Sequence, residues 1–111
     1  MGRDFRINGI DSTYKPVSYC MYKALKLNGY FKDEDDLSDV VKPKDLAKII
    51  VILENAILNE YLSDKFIKEF KFYDNETEED ILEHLKEVND KFKSALAMAV
   101  AINDKISVNY S

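Results

Sequence analysis

Hydrophobic and polar residues alternate near both ends of the chain, and this period of two predicts β-strands. In residues 5–7 the alternation leads into Asn8-Gly9, the pair that best accepts the positive φ angles of a two-residue type I′ turn. The sequence therefore predicts a β-hairpin whose return strand covers 10–14. Residues 106–110 alternate in the same way, and we expect this last strand to complete a three-stranded antiparallel sheet.

Most of the intervening chain has apolar residues at helical spacing and few residues that interrupt a helix. Gly29 suits the end of the first helix, Pro43 the start of the second, and Ser63 the N-cap of the third. The stretch 32–39 is predicted to be an acidic connection. The predicted helices cover about 17–28, 44–62, 64–73 and 77–104.

The last predicted helix carries the clearest pattern in the chain. Its apolar residues are separated by alternating steps of four and three, the heptad spacing of helices that pack side by side. Small side chains over 95–102 let another helix approach closely, so we expect this helix to pack antiparallel on the 44–62 helix. The heptad residues are Ile81, Leu85, Val88, Phe92, Ala95, Ala99 and Ile102.

The 44–62 helix is apolar almost all round, because Ile49, Val51, Ile52 and Leu58 widen the stripe that faces the core. Such a helix is either central in its domain or covered on its second face by another subunit. The sequence therefore predicts a homodimer formed through residues 46–61. A β-branched run within this segment also suits a buried strand, but the uninterrupted length favours a helix.

Together these elements predict a mainly α fold. It has three or four helices, including a long antiparallel helix pair, and a small antiparallel β-sheet formed by the N-terminal hairpin and the C-terminal strand. A chain of 111 residues fits one domain, so residues 1–111 are expected to form a single domain. Seven Tyr and six Phe supply enough apolar surface for a core without disulfides or a metal.

Cys20 is the only cysteine, so no internal disulfide forms, and its apolar neighbours indicate a buried, unreactive thiol. Charged residues from Arg3 onward argue against a signal peptide. The longest apolar runs, 49–53 and 95–102, fall short of the ~20 residues needed to span a bilayer. We therefore expect a cytoplasmic protein without a membrane association.

The net charge of −5 is unevenly distributed along the chain. Residues 1–31 carry a net charge of +3, so the remainder carries −8. An acidic balance of this size disfavours binding to nucleic acid and favours a protein partner with a basic surface. The short chain, rich in Lys, Ile and Asn, is also typical of bacterial or phage accessory proteins.

Motifs for catalysis and metal binding are missing at the positions where they would be needed. His84 is the only histidine, and no second His or Cys completes a zinc site with it. An EF-hand that started at Asp33 would need Gly in place of Ser38 and Glu in place of Lys44. We therefore predict no metal, cofactor or catalytic residue, and expect His84 on the solvated outer face of its helix. An enzyme that pairs His84 with a carboxylate of the same helix is the third of three hypotheses.

Two acidic clusters contain no basic residue, and each flanks a predicted helix start, where carboxylates also interact favourably with the helix dipole. Our leading hypothesis is a non-enzymatic binding protein, of the inhibitor or immunity type, that engages another macromolecule through an acidic face. Complementary charge would raise the association rate and help to exclude wrong partners. The residues predicted for this face are Asp33, Glu34, Asp35, Asp36, Asp39, Glu76, Glu78 and Glu79.

The second hypothesis is a protein that binds a small ligand or a nucleotide. Lysines recur every three residues in 65–71 beside aromatic residues, and the N-terminal segment is also basic. Such groups can contact phosphate and stack on bases, although lysines facing solvent on an amphipathic helix explain the same pattern. The residues predicted to contact phosphate are Arg3, Arg6, Lys65, Lys68 and Lys71.

Overall fold

A computed structural model describes residues 3–102 and 105–111 of the protein. Its elements confirm the mainly helical fold with a small antiparallel sheet, and the predicted last two residues of the final helix, 103–104, lie outside the described residues. In chain order the elements are β1 (Phe5–Ile7), β2 (Ile10–Ser12), α1 (Lys15–Lys26), β3 (Ser38–Val41), α2 (Pro43–Asn59), α3 (Asp64–Phe70), α4 (Glu78–Ile102) and β4 (Ile106–Tyr110).

The N-terminal hairpin forms as its turn sequence predicts. Asn8 has φ 46° and Gly9 has φ 83°, the two positive angles that a type I′ turn requires. Ile7 pairs with Ile10 across this turn. The return strand ends at Ser12, two residues earlier than predicted, because Tyr14 is already the N-cap of α1.

The sheet has four strands in the order β2-β1-β4-β3, so the prediction of three strands is wrong. The additional strand is β3, which includes the end of the stretch expected to be a connection. In β3 only Val41 is buried, and the strand is four residues long between an acidic run and Pro43. Hydrophobic and polar residues hardly alternate in such a segment. It becomes a strand because β4 supplies hydrogen-bonding partners from Ile106 to Asn109.

One face of the sheet is covered by helices and the other is open to solvent. The covered face carries buried apolar side chains, and α1 and α4 pack on it. Tyr110 of β4 stacks on Tyr22 of α1 with ring centroids 4.5 Å apart, which ties the sheet to the first helix. On the open face, Arg6 forms an ion pair with Asp11 at 2.6 Å.

The heptad stripe of α4 packs into the core as predicted, with one exception. Its first six members are fully buried, but Ile102 is 67% exposed. A straight α-helix drifts by about 20° per heptad relative to a seven-residue repeat, so three repeats turn the last position about 60° out of the core. Among the helices described, none has the length and apolar character needed to cross a membrane.

Helix α2 lies antiparallel to α4, as predicted. Ile57 near the end of α2 lies beside Leu82, whereas Ala47 near its start lies beside Ala101. A polar contact fixes the register between them, because Glu54 of α2 accepts hydrogen bonds from two residues of α4. These are Asn89 Nδ2 and Lys93 Nζ, both at 2.7 Å.

The remaining helix boundaries differ from the predictions by at most three residues, and the start of α3 agrees. Helix α1 starts at Lys15 because Pro16 suits its first turn, and Gly29, with φ 93°, follows its end. Helix α2 stops at Asn59, because Glu60 adopts a left-handed conformation with φ 50°. Helix α3 is capped by Ser63, whose Oγ accepts a hydrogen bond from Phe66 N.

The start of α4 leads to a pH-dependent prediction. Thr77 Oγ1 accepts from Asp80 N at 3.2 Å, and Asp80 Oδ2 accepts from Thr77 N at 3.0 Å, which is a reciprocal capping box. The hydrogen bond from the Thr77 backbone is the main cause that lowers the pKa of Asp80 below its ordinary value of 3.8. The charged cap therefore contributes stability above pH 3.8, which is lost as the pH falls through the folded-state pKa.

We expect Asp80→Asn to be less stable than the wild type at pH 7 and to match it at the lowest pH where both still fold. Urea unfolding of both proteins across this pH range measures the difference. A difference that stays constant with pH would contradict a role for the ionised cap.

Candidate binding surfaces

An outward stripe on α2 remains uncovered after α2 has packed on α4. Ala47, Val51 and Leu58 are spaced by four and seven residues and therefore lie on one side of the helix. Val51 is 58% exposed and Leu58 is 71% exposed. Exposed apolar side chains that share one side of a helix are candidates for an interaction site.

Beside this stripe, an open groove runs between α2 and the C-terminal half of α4. Its volume is about 560 Å³, and its lining is apolar except for the Lys93 side chain at one side. Several lining residues are alanines, which leave room for the backbone of another helix. The groove is lined by Ala47, Ile50, Lys93, Leu96, Ala97, Val100 and Ala101.

At the other end of the same helix pair, carboxylates surround a smaller hollow of about 250 Å³, which we call the acidic hollow. Its apolar base is formed by Ile57 and Leu82, and one lysine, Lys86, pairs with Glu83 at 3.0 Å. Exposed Leu58 lies next to it in the chain. The carboxylates of the acidic hollow are Glu60, Glu78, Glu79 and Glu83.

The structure separates the acidic residues that the sequence assigned to one face. The 33–39 cluster precedes α2, and Asp45 in the first turn of α2 accepts a hydrogen bond from Tyr30. The second cluster lies at the opposite end, where Glu78 Oε2 accepts from Leu62 N at 3.3 Å. The two clusters are therefore associated with opposite ends of α2, which has 17 residues and is about 25 Å long.

Within the first cluster only part of the charge is presented to a partner. Asp39 uses both carboxylate oxygens on the backbone N–H groups of Phe31 and Val40, and Asp36 accepts from the Asp33 N–H. These bonds fold the acidic connection back on the edge strand β3. The side chains of Asp33, Glu34 and Asp35 are exposed.

Glu76 is buried and belongs to the interior of its loop. Its Oε1 accepts from the backbone N–H groups of Phe72 at 2.6 Å and Tyr73 at 2.9 Å. Its Oε2 lies 3.2 Å from His84 Nδ1, and its side chain is only 6% exposed. Glu76 therefore holds the connection between α3 and α4 together and is removed from the predicted face.

The expectation that His84 is solvated is wrong. Its side chain is 13% exposed, and its ring meets the edge of Tyr14 at a centroid distance of 5.5 Å. Helical spacing predicts only those neighbours of His84 that lie within α4, whereas both contacts come from outside that helix. The preceding loop supplies Glu76, and the segment before α1 supplies Tyr14.

The thiol of Cys20 lies close enough to Glu76 for their charges to interact. The nearby thiol of Cys20 is fully buried, and this burial raises its pKa, so it is a poor nucleophile. Within residues 3–102 and 105–111, no group of three His, Cys, Asp or Glu side chains is arranged to hold a metal ion.

The basic residues of the phosphate hypothesis belong to different parts of the fold. Arg6 is paired on the open face of the sheet, and the Arg3 guanidinium lies 5.4 Å from the ring centre of Tyr110. The lysines 65, 68 and 71 belong to α3 and the residue after it. Helix α3 packs on α1, and α1 separates it from the sheet.

Comparison of the chain with protein-family models, with curated proteins and with solved structures found no match.

The buried position of Glu76 predicts a structural effect. Glu76→Ala leaves the N–H groups of Phe72 and Tyr73 without their acceptor, and hydrogen bonds to a charged group contribute about 1.5–3 kcal/mol each. We expect the free energy of unfolding in urea to fall by about 3 kcal/mol. Asp74→Ala, an exposed change in the same loop, should alter it by less than about 0.5 kcal/mol. Equal effects of the two changes would contradict this role for Glu76.

Proposed function

We propose that this chain is a non-enzymatic binding domain that engages a basic surface of another protein through the acidic hollow. The observation that carries the proposal is the combination of charge and exposed apolar surface at one place. Carboxylates of Glu60, Glu79 and Glu83 surround the apolar base of the hollow. Leu58 and Tyr61, 71% and 64% exposed, lie beside Glu60 in the chain.

Exposed leucine and tyrosine side chains next to carboxylates have the composition of an interface centre with a charged rim. Aromatic and apolar anchors supply most of the binding energy in such interfaces, while rim charges steer a partner of opposite sign and exclude others. An inhibitor or immunity protein works in this way, because it binds the basic site of its target without chemistry of its own.

The acidic hollow supports the proposal better than the 33–39 cluster does. Two carboxylates of that cluster are occupied by backbone N–H groups of its own loop. In the hollow, Glu78 accepts from Leu62 N and Glu83 pairs with Lys86, but its carboxylates, from α4 and from Glu60 directly after α2, line one concave site. A partner's lysine or arginine would meet several of them at once.

A matched pair of charge reversals tests this assignment. A photo-crosslinking residue in place of Tyr61 captures the partner from a lysate of the source organism, and the partner is then purified for affinity measurements. We expect Glu79→Lys with Glu83→Lys to weaken its binding by roughly tenfold or more, because like charges would face each other.

The control is Asp33→Lys with Asp35→Lys, which changes the net charge by the same amount at the other end of α2. It should leave the affinity within about threefold at physiological salt, where distant charges are screened. Equal losses in the two double variants, or no loss in the first, would overturn the assignment to the acidic hollow.

We also propose, as a second candidate, that the open groove is covered by a second copy of this chain. The exposed side chain of Leu58 is suited to fill such a groove. It lies on the outward stripe of α2, about 16 Å along the helix from Ala47. A two-fold axis between them would place Leu58 of each copy in the groove of the other. The same axis would bring exposed Lys44 and Lys48 towards the acidic hollow of the other copy, so the contact is self-complementary in charge.

Light scattering at tens of micromolar tests the dimer directly. We expect a mass of twice the 12.9 kDa of one chain for the wild type. Ala97→Glu, which places a charge in the groove, should give a monomer, whereas Ser94→Glu, an exposed position of α4 outside the groove, should not. A monomeric mass for the wild type would rule out this candidate and leave the face free for a different protein.

A further inference from the structure

A cleft on the opposite side of α2 has the features of a small-molecule site. It is formed by the end of α1, the middle of α2 and α3, and its volume is about 260 Å³. The cleft is more enclosed than the open groove because three elements surround it. Its floor consists of apolar side chains that are at most 2% exposed, namely Ala24, Ile49, Leu53 and Phe70.

The walls of the cleft are apolar up to the solvent. Leu27 is 46% exposed and Ile52 is 44% exposed, and Phe66 of α3 forms the third side. The exposed apolar rim and the buried apolar floor together form a continuous apolar surface, which water solvates unfavourably. A ligand with an apolar body would remove this surface from water.

Three polar side chains lie at the mouth, and two of them already have partners. The Glu69 carboxylate forms an ion pair with Lys23 at 3.2 Å, and Asn28 Nδ2 donates to the Ala24 carbonyl at 2.7 Å. Among the described residues, none forms an ion pair or hydrogen bond with the Lys65 ammonium. The mouth therefore presents one uncompensated positive charge on a protein whose net charge is −5.

We propose that this cleft binds a small monocarboxylate with an unbranched apolar tail, with its carboxylate on Lys65 Nζ and its tail on the buried floor. A cavity of about 150 Å³ holds one benzene molecule, so the acid that fills this cleft has about eight to ten carbons in all. Pockets for drug-sized ligands have volumes of about 300–1,000 Å³, so this cleft suits a ligand smaller than a nucleotide. This site is separate from the acidic hollow and does not depend on the proposed protein partner.

The probe for the test is sodium octanoate, titrated into the ¹⁵N-labelled protein and followed by amide chemical shifts. We expect saturable shifts at Leu27, Ile52 and Phe66. Each methylene that enters the cleft should tighten binding by about fourfold, so butyrate should bind roughly two orders of magnitude more weakly than octanoate. 1-Octanol, which lacks the charge, should bind about three- to fivefold more weakly.

Two pairs of variants locate the ligand. Lys65→Gln should lose the preference for octanoate over octanol, and Lys68→Gln, at an exposed position of α3 outside the cleft, should keep it. Ile52→Trp should block the mouth and abolish binding, whereas Asn55→Trp, at an exposed position of α2 outside the cleft, should bind normally. The thermal unfolding of each variant is measured first, to establish that it is folded.

Three results would overturn the proposal. The first is the absence of shifts at cleft residues with millimolar octanoate. The second is an equal response of the paired variants, which would place the ligand elsewhere. The third is perturbation of the cleft by phosphatidylglycerol vesicles but not by octanoate, which would make the occupant a membrane lipid.

Discussion

β4 lies between β1 and β3, so a strand near the end of the chain holds a hairpin from its start and the strand that precedes α2. Both sides of β4 are paired, and the Asn8 side chain adds to this pairing. Its Oδ1 accepts from Ser107 N at 2.7 Å, and its Nδ2 donates to the Lys105 carbonyl at 3.1 Å. These contacts join residues about a hundred positions apart, so forming them carries a large entropic cost of loop closure. That cost is offset only when the helices between the two ends are also packed.

The position of β4 also determines which helix surfaces remain free. Helix α4 leads into β4, and the buried stripe of α4 packs against α1 and α2 beside the sheet. Helix α2 then covers one flank of α4 and leaves its own outward stripe, with Val51 and Leu58, in solvent. Helix α3 closes the far side of α2, which creates the cleft at Lys65. The outward stripe and the cleft are therefore consequences of how α2 and α3 pack around α4 and α1, the two helices that cover the sheet.

The sequence pattern was sufficient to predict the long elements and the turn at Asn8-Gly9, because each has a strong local signal. It missed β3, whose four residues acquire their structure from β4, and it placed Ile102 in the core because it ignored helical drift. It also misplaced His84 and Glu76, since their contact depends on a loop whose path is set by tertiary packing. The clustering of charges in the sequence identified the acidic residues near both ends of α2. Sequence spacing does not give the distance between the two clusters in the fold. The convergence of Glu60 with Glu79 and Glu83 required the antiparallel packing of two helices.

Native-state amide hydrogen exchange tests the central position of β4 most directly. If β4 holds the fold together, the hydrogen-bonded amides of 106–110 exchange only through global unfolding, with an opening free energy equal to that of the buried stripe of α4. The amides of β2, at the sheet edge, should open at lower free energy. Fast exchange throughout 106–110 while α4 stays protected would contradict the account, because the helices would then be stable without the strand that joins the two ends of the chain.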